Sequence, residues 1–303
     1  MWTLQDISDQ TGRRAIVTGT GGLGYETALA LAGAGGDVIL AGRSAAKGQE
    51  SVARILTAHP GAKIRFESLD LANLADIAAF AARIDAPVDL LVNNAGIMAP
   101  AERRTTSDGF ELQFGTNHLG HFALTGRLLP RLREGKSPRV VTVSSGAHHT
   151  GRIDFDDLQW EKRYTPWLAY SQSKLANLLF AFELQRRSDA AGWGLLSDAA
   201  HPGFARTDLI ANGPGHDALA TRIGNLLIKP WASQSAADGA LPQLFAATSP
   251  DAKPAGYYGP SRLFEMVGPP APAGVARRAR DPVVARRLWE VSETLTGVRF
   301  GDG

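Results

Sequence analysis

Arg14-Ala15-Ile16-Val17-Thr18-Gly19-Thr20-Gly21-Gly22-Leu23-Gly24-Tyr25-Glu26-Thr27-Ala28 is the stretch on which the fold turns. Arg14 to Val17 reads as a buried strand, a glycine cluster follows, and Tyr25 to Ala34 is rich in helix formers. Strand, glycine turn and helix in that order make the first half of a βαβ unit. Gly19, Gly21 and Gly24 satisfy G-x-G-x-x-G, with Gly22 and Leu23 between the last two. Glycine is needed where a backbone turns tightly and approaches a pyrophosphate with no Cβ in the way. The helix behind it presents unpaired N–H groups and a partial positive charge to phosphates. The stretch therefore predicts a dinucleotide site; the plainer alternative is a turn that lets helix and strand pack closely.

Outward from this unit the alternation continues. Strands are expected at Asp37 to Leu40, Lys63 to Leu69, Val88 to Val92, Arg139 to Val143 and Leu195 to Ala200. Helices are expected at Gly48 to Ala58, Ala72 to Arg83, from a cap at Ser107 or Asp108 to Leu128, and at Tyr170 to Arg187. A last helix opens at Asp281-Pro282 and stops at Gly297, and Gly268 to Gly274 reads as a surface loop. Near-continuous apolar strands belong to a sheet covered on both faces. The expectation is α/β: a Rossmann-type doubly wound parallel sheet with helices on both faces, in one domain over 1–303. Residues 11–207 form its cofactor and catalytic core, and 208–303 a substrate loop and C-terminal extension that acts as a variable cap.

Composition narrows the class. The 303 residues carry a formal net charge of +2 and no cysteine, which excludes disulfides and thiolate metal sites. No stretch has the layout of a signal peptide or the length of a membrane span, so a cytoplasmic protein is expected. The basic cluster Arg277, Arg278, Arg280, Arg286 and Arg287 lacks interleaved aromatics, so it is read as a solvated face or subunit contact, with no nucleic acid as partner. His118 with His121, and His148 with His149, lack a third ligand at a recognisable spacing; no metal is expected.

The end of the second strand decides between dinucleotides. An NAD site places Asp or Glu there for the ribose 2′-hydroxyl. This chain has Ala41-Gly42-Arg43, and Asp37 sits at the wrong end. The Arg43 guanidinium suits a 2′-phosphate, with charged hydrogen bonds contributing about 1.5–3 kcal/mol each. NADP(H) is therefore the expected cofactor. Tyr170 and Lys174, four apart on a helix, share one face. An ammonium about 4 Å from a phenol contributes about 4 kcal/mol at an effective dielectric of 20, enough to lower its pKa by about three units. That would fit Tyr170 to give a proton to a carbonyl oxygen.

With Thr18-Gly19…Gly22-Leu23-Gly24, Asp70-Leu71, Asn93-Asn94-Ala95-Gly96, Asn117, Ser144-Ser145, Tyr170-x-x-x-Lys174 and Pro202-Gly203…Thr207 in order, the chain resembles the short-chain dehydrogenase/reductases. Asn117-His118-Leu119-Gly120-His121-Phe122 and Ser173-Lys174-Leu175-Ala176-Asn177 make it similar to the retinol dehydrogenase and protochlorophyllide reductase-like branch. The resemblance spans about Thr11 to Leu209. It implies a catalytic set of Asn117, Ser145, Tyr170 and Lys174. Tyr170 would be the general acid or base, Lys174 would tune it and hold the nicotinamide ribose, and Ser145 would bind the substrate oxygen. Asn117 would anchor a water for proton relay. Asp70 and Leu71 would border the adenine, Asn93, Asn94, Ala95 and Gly96 would line the cleft, Pro202 and Gly203 would shape the turn under the nicotinamide, and Thr207 would meet the carboxamide. The implied activity is carbonyl reduction or alcohol oxidation on a small molecule. Alternatives are reduction of an activated C=C bond or a non-catalytic dinucleotide sensor. Self-association into a homo-oligomer is compatible with the resemblance.

Two departures stand out. The family's glycine motif has three residues between its first two glycines, but Gly19 and Gly22 enclose only Thr20 and Gly21, where Gly21 is expected to let the turn tighten. Asp198 falls in the last parallel strand, where it must be exposed, paired or protonated. The segment between Ser145 and Tyr170 is long and holds Trp160, Tyr164 and Trp167. Trp160, Trp167 and Phe204 are expected to flank a bulky apolar substrate, with packing of the insertion as the alternative.

Overall fold

The computed structural model describes residues 1–205 and 233–301. Thr207 and the stretch Ile210 to Trp231 lie outside the described residues. Among the described residues, eight strands form one sheet in the order β3-β2-β1-β4-β5-β6-β7-β8. They are β1 Arg14–Thr18, β2 Asp37–Gly42, β3 Lys63–Ser68, β4 Leu90–Asn93, β5 Arg139–Val143, β6 Leu196–Ala200, β7 Tyr257–Arg262 and β8 Val267–Pro272. All neighbours pair in parallel except β7 with β8. The chain runs outward from β1 to β3, then returns to lay β4 on the other side of β1. The crevice at the carboxyl ends of β1 and β4 is therefore the topological switch point where ligands bind in such sheets.

Among the described residues, the α-helices are α1 Gly22–Gly33, α2 Ala45–Ala58, α3 Leu74–Arg83, α4 Leu112–Phe114, α5 Gly120–Arg133, α6 Pro166–Ala191, α7 Ala236–Thr248 and α8 Pro282–Thr296. One face buries Ala28 and Leu31 of α1, Ile55 of α2 and Leu244 of α7 against Val17, Val38, Leu40 and Val141. The other buries Phe80 of α3, Phe122 of α5 and Phe180 of α6 against Ile16, Ile39, Leu91 and Val140. The β-strands alternate between these two cores, which is why they read as continuous apolar runs. α8 packs its Leu288 and Trp289 outside α6.

Two local expectations are corrected. Ser107 and Asp108 do not cap the long helix: Glu111 does, accepting from Gln113 and Phe114 N–H at 3.0 and 2.7 Å. Ser107 Oγ instead donates to Ala72 O, and Asp108 accepts from Leu74 N–H, tying this loop to the start of α3. A π turn at Gly115–Leu119 joins α4 to α5. The loop expected over Gly268 to Gly274 is β8 for most of its length. Its Pro269, Pro270 and Pro272 are tolerated because β8 is the edge strand.

Candidate active site

The glycine turn leaves β1 and enters α1 at the switch point. Gly19 (φ 96°) and Gly22 (φ 51°) take the left-handed conformations that make the shortened loop close. Gly21, expected to do so, is extended and serves as the N-cap of α1. Gly24 is required by proximity: a Cβ there would stand 2.0 Å from Gly19 O. Gly21 offers the helix no side-chain acceptor, so the first-turn N–H groups meet the turn as a phosphate would need them. Thr20 is held down, its carbonyl accepting from Ser51 Oγ at 2.7 Å and its methyl resting against Gly42. Arg43 follows at the end of β2, exposed and in no recorded ion pair among the described residues. These features fit a dinucleotide.

Asp70 accepts from Ala72 N–H at 3.0 Å and leads into buried Leu71, whose carbonyl lies against Gly120. After β4 the chain passes Ala95 and Gly96 along the crevice, and a Cβ on Gly96 would stand 3.3 Å from Asn117 Oδ1 and 3.5 Å from Lys174 Nζ. Asn93 does not line this cleft with its side chain. It is fully buried on the α5 side, donating to Thr125 Oγ1 at 3.0 Å. The alternation of a strand sends it there, while Asn94, the next residue of the expected stretch, faces the glycine turn, donating to Thr18 O at 2.7 Å.

α6 carries both Tyr170 and Lys174. Tyr170 and Lys174 are 4% and 3% exposed. Lys174 Nζ donates to Val143 O at 3.1 Å and stands 5.7 Å from the centre of the Tyr170 ring. Ser145, two residues past the end of β5, sits beside the Tyr170 hydroxyl and favours its ionised form. Burial nevertheless pushes the Tyr170 phenol up to about 12, with Ser145 opposing, and burial brings Lys174 down to about 8. The lysine-driven fall expected for the phenol is thus reversed. Desolvation of both groups exceeds their mutual attraction, and the ammonium is turned toward the Val143 carbonyl.

Asn117 sits on the π turn with its whole amide engaged. Oδ1 accepts from Ile97 N–H at 2.8 Å; Nδ2 donates to Ile97 O at 2.9 Å and Ser173 Oγ at 3.0 Å. It is a clamp between the post-β4 loop and the catalytic helix. His148 performs a related task that sequence reasoning missed: Nδ1 lies 2.7 Å from Ser145 O while Nε2 accepts from Ala276 N–H. Only the His148-His149 pair three residues past Ser145 hinted at it.

After β6, Gly203 (φ 61°) turns so close to the β7–β8 hairpin that a Cβ would stand 2.4 Å from Met266 O. Phe204 is half-buried beside it and donates its N–H to Met266 O at 2.8 Å. Trp167 is 49% exposed, its ring 5.6 Å from that of Tyr170. Trp160, in a left-handed turn (φ 54°), shows no ring contact with Tyr170. Tyr164 packs the insertion down, donating to Pro100 O and accepting from Gln113 Nε2.

The sequence profile of the short chain dehydrogenases matches residues 13–214. Polyprenol dehydrogenase from Mus musculus is 41% identical over 98% of this chain and 87% of its own length. Retinol dehydrogenase 13 from Homo sapiens is 41% identical over 95% of this chain and 85% of its own. A solved structure of an uncharacterised protein from Mycobacterium paratuberculosis superposes with a TM-score of 0.82 at 44% identity, covering 99% of this chain and 98% of that one.

Proposed function

The chain belongs to the short chain dehydrogenases, nicotinamide-dependent oxidoreductases, and on that footing we propose that it is an NADPH-preferring enzyme that moves a hydride between the nicotinamide and a carbonyl or alcohol carbon of a bulky apolar substrate. The observation that carries this reading is the convergence of Ser145, Tyr170 and Lys174 at the carboxyl edge, beside the glycine cradle. When bound, the cofactor supplies or accepts the hydride. Gly19, Gly21, Gly22, Leu23 and Gly24 would hold its pyrophosphate, Arg43 its 2′-phosphate, Asp70 and Leu71 the adenine, and Ala95, Gly96, Pro202 and Gly203 the nicotinamide half. Thr207 remains an expectation outside the described residues.

Tyr170 gives its proton to the carbonyl oxygen in reduction and takes one from the alcohol in oxidation. A phenol held at about 12 is fully protonated at neutral pH, which favours the reductive role. Ser145 hydrogen-bonds the same oxygen. Trp167, half in solvent beside Tyr170, and Phe204 support an apolar substrate, as do the long apolar alcohols in the names of the two mammalian relatives. The test follows absorbance at 340 nm with NADPH and with NADH across aromatic and terpenoid aldehydes and ketones. Oxidation of NADPH that Tyr170→Phe lowers by roughly 10²–10⁴-fold, with cofactor binding kept, supports the reading. A Tyr170→Phe variant as fast as wild type refutes it.

A further inference from the structure

The reaction leaves a buried imidazole at the switch point without a task. His121 on α5 is 1% exposed, with Nδ1 2.9 Å from the Asn117 main-chain oxygen and Nε2 2.9 Å from Thr18 Oγ1. A carbonyl oxygen only accepts, so Nδ1 carries the proton. Burial keeps the ring neutral, its pKa brought down to about 4, so Nε2 is bare and accepts. Thr18 agrees with this assignment. Its hydroxyl accepts from Asn94 and Ala95 N–H at 2.9 and 3.0 Å, which uses both lone pairs and leaves one proton to give. His121 Nε2 at 2.9 Å is nearer than the other acceptor, Val92 O at 3.3 Å.

These two bonds join two clamps. On the first, Thr18 fixes Asn94 and Ala95, while Gly19 approaches Asn94 so closely that a Cβ would stand 2.9 Å from its Nδ2. That clamp sets the cofactor-facing turn. On the second, Asn117 grips Ile97 and Ser173, and Ser173 Oγ donates to Tyr170 O at 2.7 Å. That clamp sets the catalytic helix. His118, three residues earlier, faces elsewhere: its Nε2 pairs with Ser292 Oγ on α8.

We propose that His121 is a positioning residue that ties the glycine turn to the Asn117–Tyr170 frame, through Nδ1–H to Asn117 and Nε2 to Thr18. The proposal rests on the oxidoreductase reading above. It predicts that the two ring nitrogens serve different quantities: Nε2 cofactor affinity, Nδ1 turnover.

Three variants separate these. His121→Leu removes both bonds; His121→Asn keeps a donor where Nδ1 stood; His121→Gln keeps an amide where Nε2 stood. NADPH dissociation constants come from fluorescence titration, kcat from turnover at saturating NADPH. His121→Leu is expected to weaken NADPH binding and lower kcat, each by roughly 10–100-fold. His121→Asn should restore most of kcat and His121→Gln most of the affinity. Wild-type behaviour of His121→Leu, or equal losses in all three variants, overturns the proposal. Long-range ¹H–¹⁵N spectra of the wild-type protein at pH 7 test it without any variant. The His121 ring should show the Nδ1–H tautomer, and an Nε2–H tautomer or an imidazolium overturns it. A wild-type protein that binds NADPH yet reduces no carbonyl would defeat the oxidoreductase reading, while the tautomer and the affinity series would still decide the role of His121.

Discussion

Asp198 carries the sharpest stability prediction. It lies on β6 opposite Val141 of β5, fully buried, with neither carboxylate oxygen hydrogen-bonded. Its neighbour Ser197 donates to Ala181 O of α6, so alternation turns Asp198 to the opposite, α7-covered face. Burial raises its pKa well above the carboxylate range, and Arg139 opposes this only in part. The Arg139 guanidinium is spent on Ala246 O and Ser249 O at 2.8 and 2.9 Å. Because the folded pKa is raised, the native state holds a proton that the unfolded chain releases near pH 4. The contribution of Asp198 is therefore full below about pH 4 and declines as pH rises toward the folded pKa. Asp198→Val places a β-branched apolar residue in the strand and removes a polar group left without partners, a gain of roughly 2–4 kcal/mol at pH 8. Unfolding entropy for 303 residues is roughly 0.6 kcal/mol/K, so the melting temperature should rise by about 3–6 °C. Differential scanning fluorimetry from pH 5 to 9 reads this, with the difference from wild type growing with pH. A lower melting temperature for Asp198→Val would mean that the carboxylate is ionised and serving Arg139, and the reasoning fails.

The fold was legible because its signals are local and periodic. Apolar strands, the glycine turn at Gly19 to Gly24 and the α8 ends at Asp281-Pro282 and Gly297 each announce themselves within a few residues. What escaped was set by distant partners. Ser107 and Asp108 look like a cap, but their acceptor and donor lie on Ala72 and Leu74, some thirty-five residues earlier in the chain. The prolines of β8 read as a loop because nothing local shows that the strand is an edge. The candidate catalytic residues stand out as an ordered motif, and the shared face of Tyr170 and Lys174 follows from their spacing. Their charges were not legible. A pairwise estimate sees the ammonium beside the phenol, while the full burial of both, which governs the direction of each shift, exists only once α6 is packed. His121 and His148 were invisible as positioning groups for the same reason: an imidazole becomes a two-ended bridge only when both of its partners are in place.

Arg43→Ala should raise the NADPH dissociation constant by roughly 10–100-fold and leave that for NADH nearly unchanged, read by fluorescence titration; equal losses for both would remove Arg43 from the 2′-phosphate site. Alcohol oxidation needs Tyr170 deprotonated, and burial raises its pKa to about 12, so kcat for oxidation should climb about tenfold per pH unit from 7 to 9. A flat profile would show that the phenol is lowered in the working complex. The last expectation is acid lability. His118, His121 and His148 are held neutral by burial, with pKa values brought down to about 3, 4 and 4 from the usual 6.5. The unfolded chain therefore takes up protons that the native state refuses, and stability present above pH 6.5 is lost as pH falls toward 4. Each ring accounts for a loss of up to about 3 kcal/mol by pH 4, and three together approach the whole stability of a typical domain. Far-ultraviolet circular dichroism should show cooperative unfolding between about pH 6 and 4. A chain still folded at pH 4, with all three rings protonated by NMR, would mean that these pockets open to water without the fold giving way.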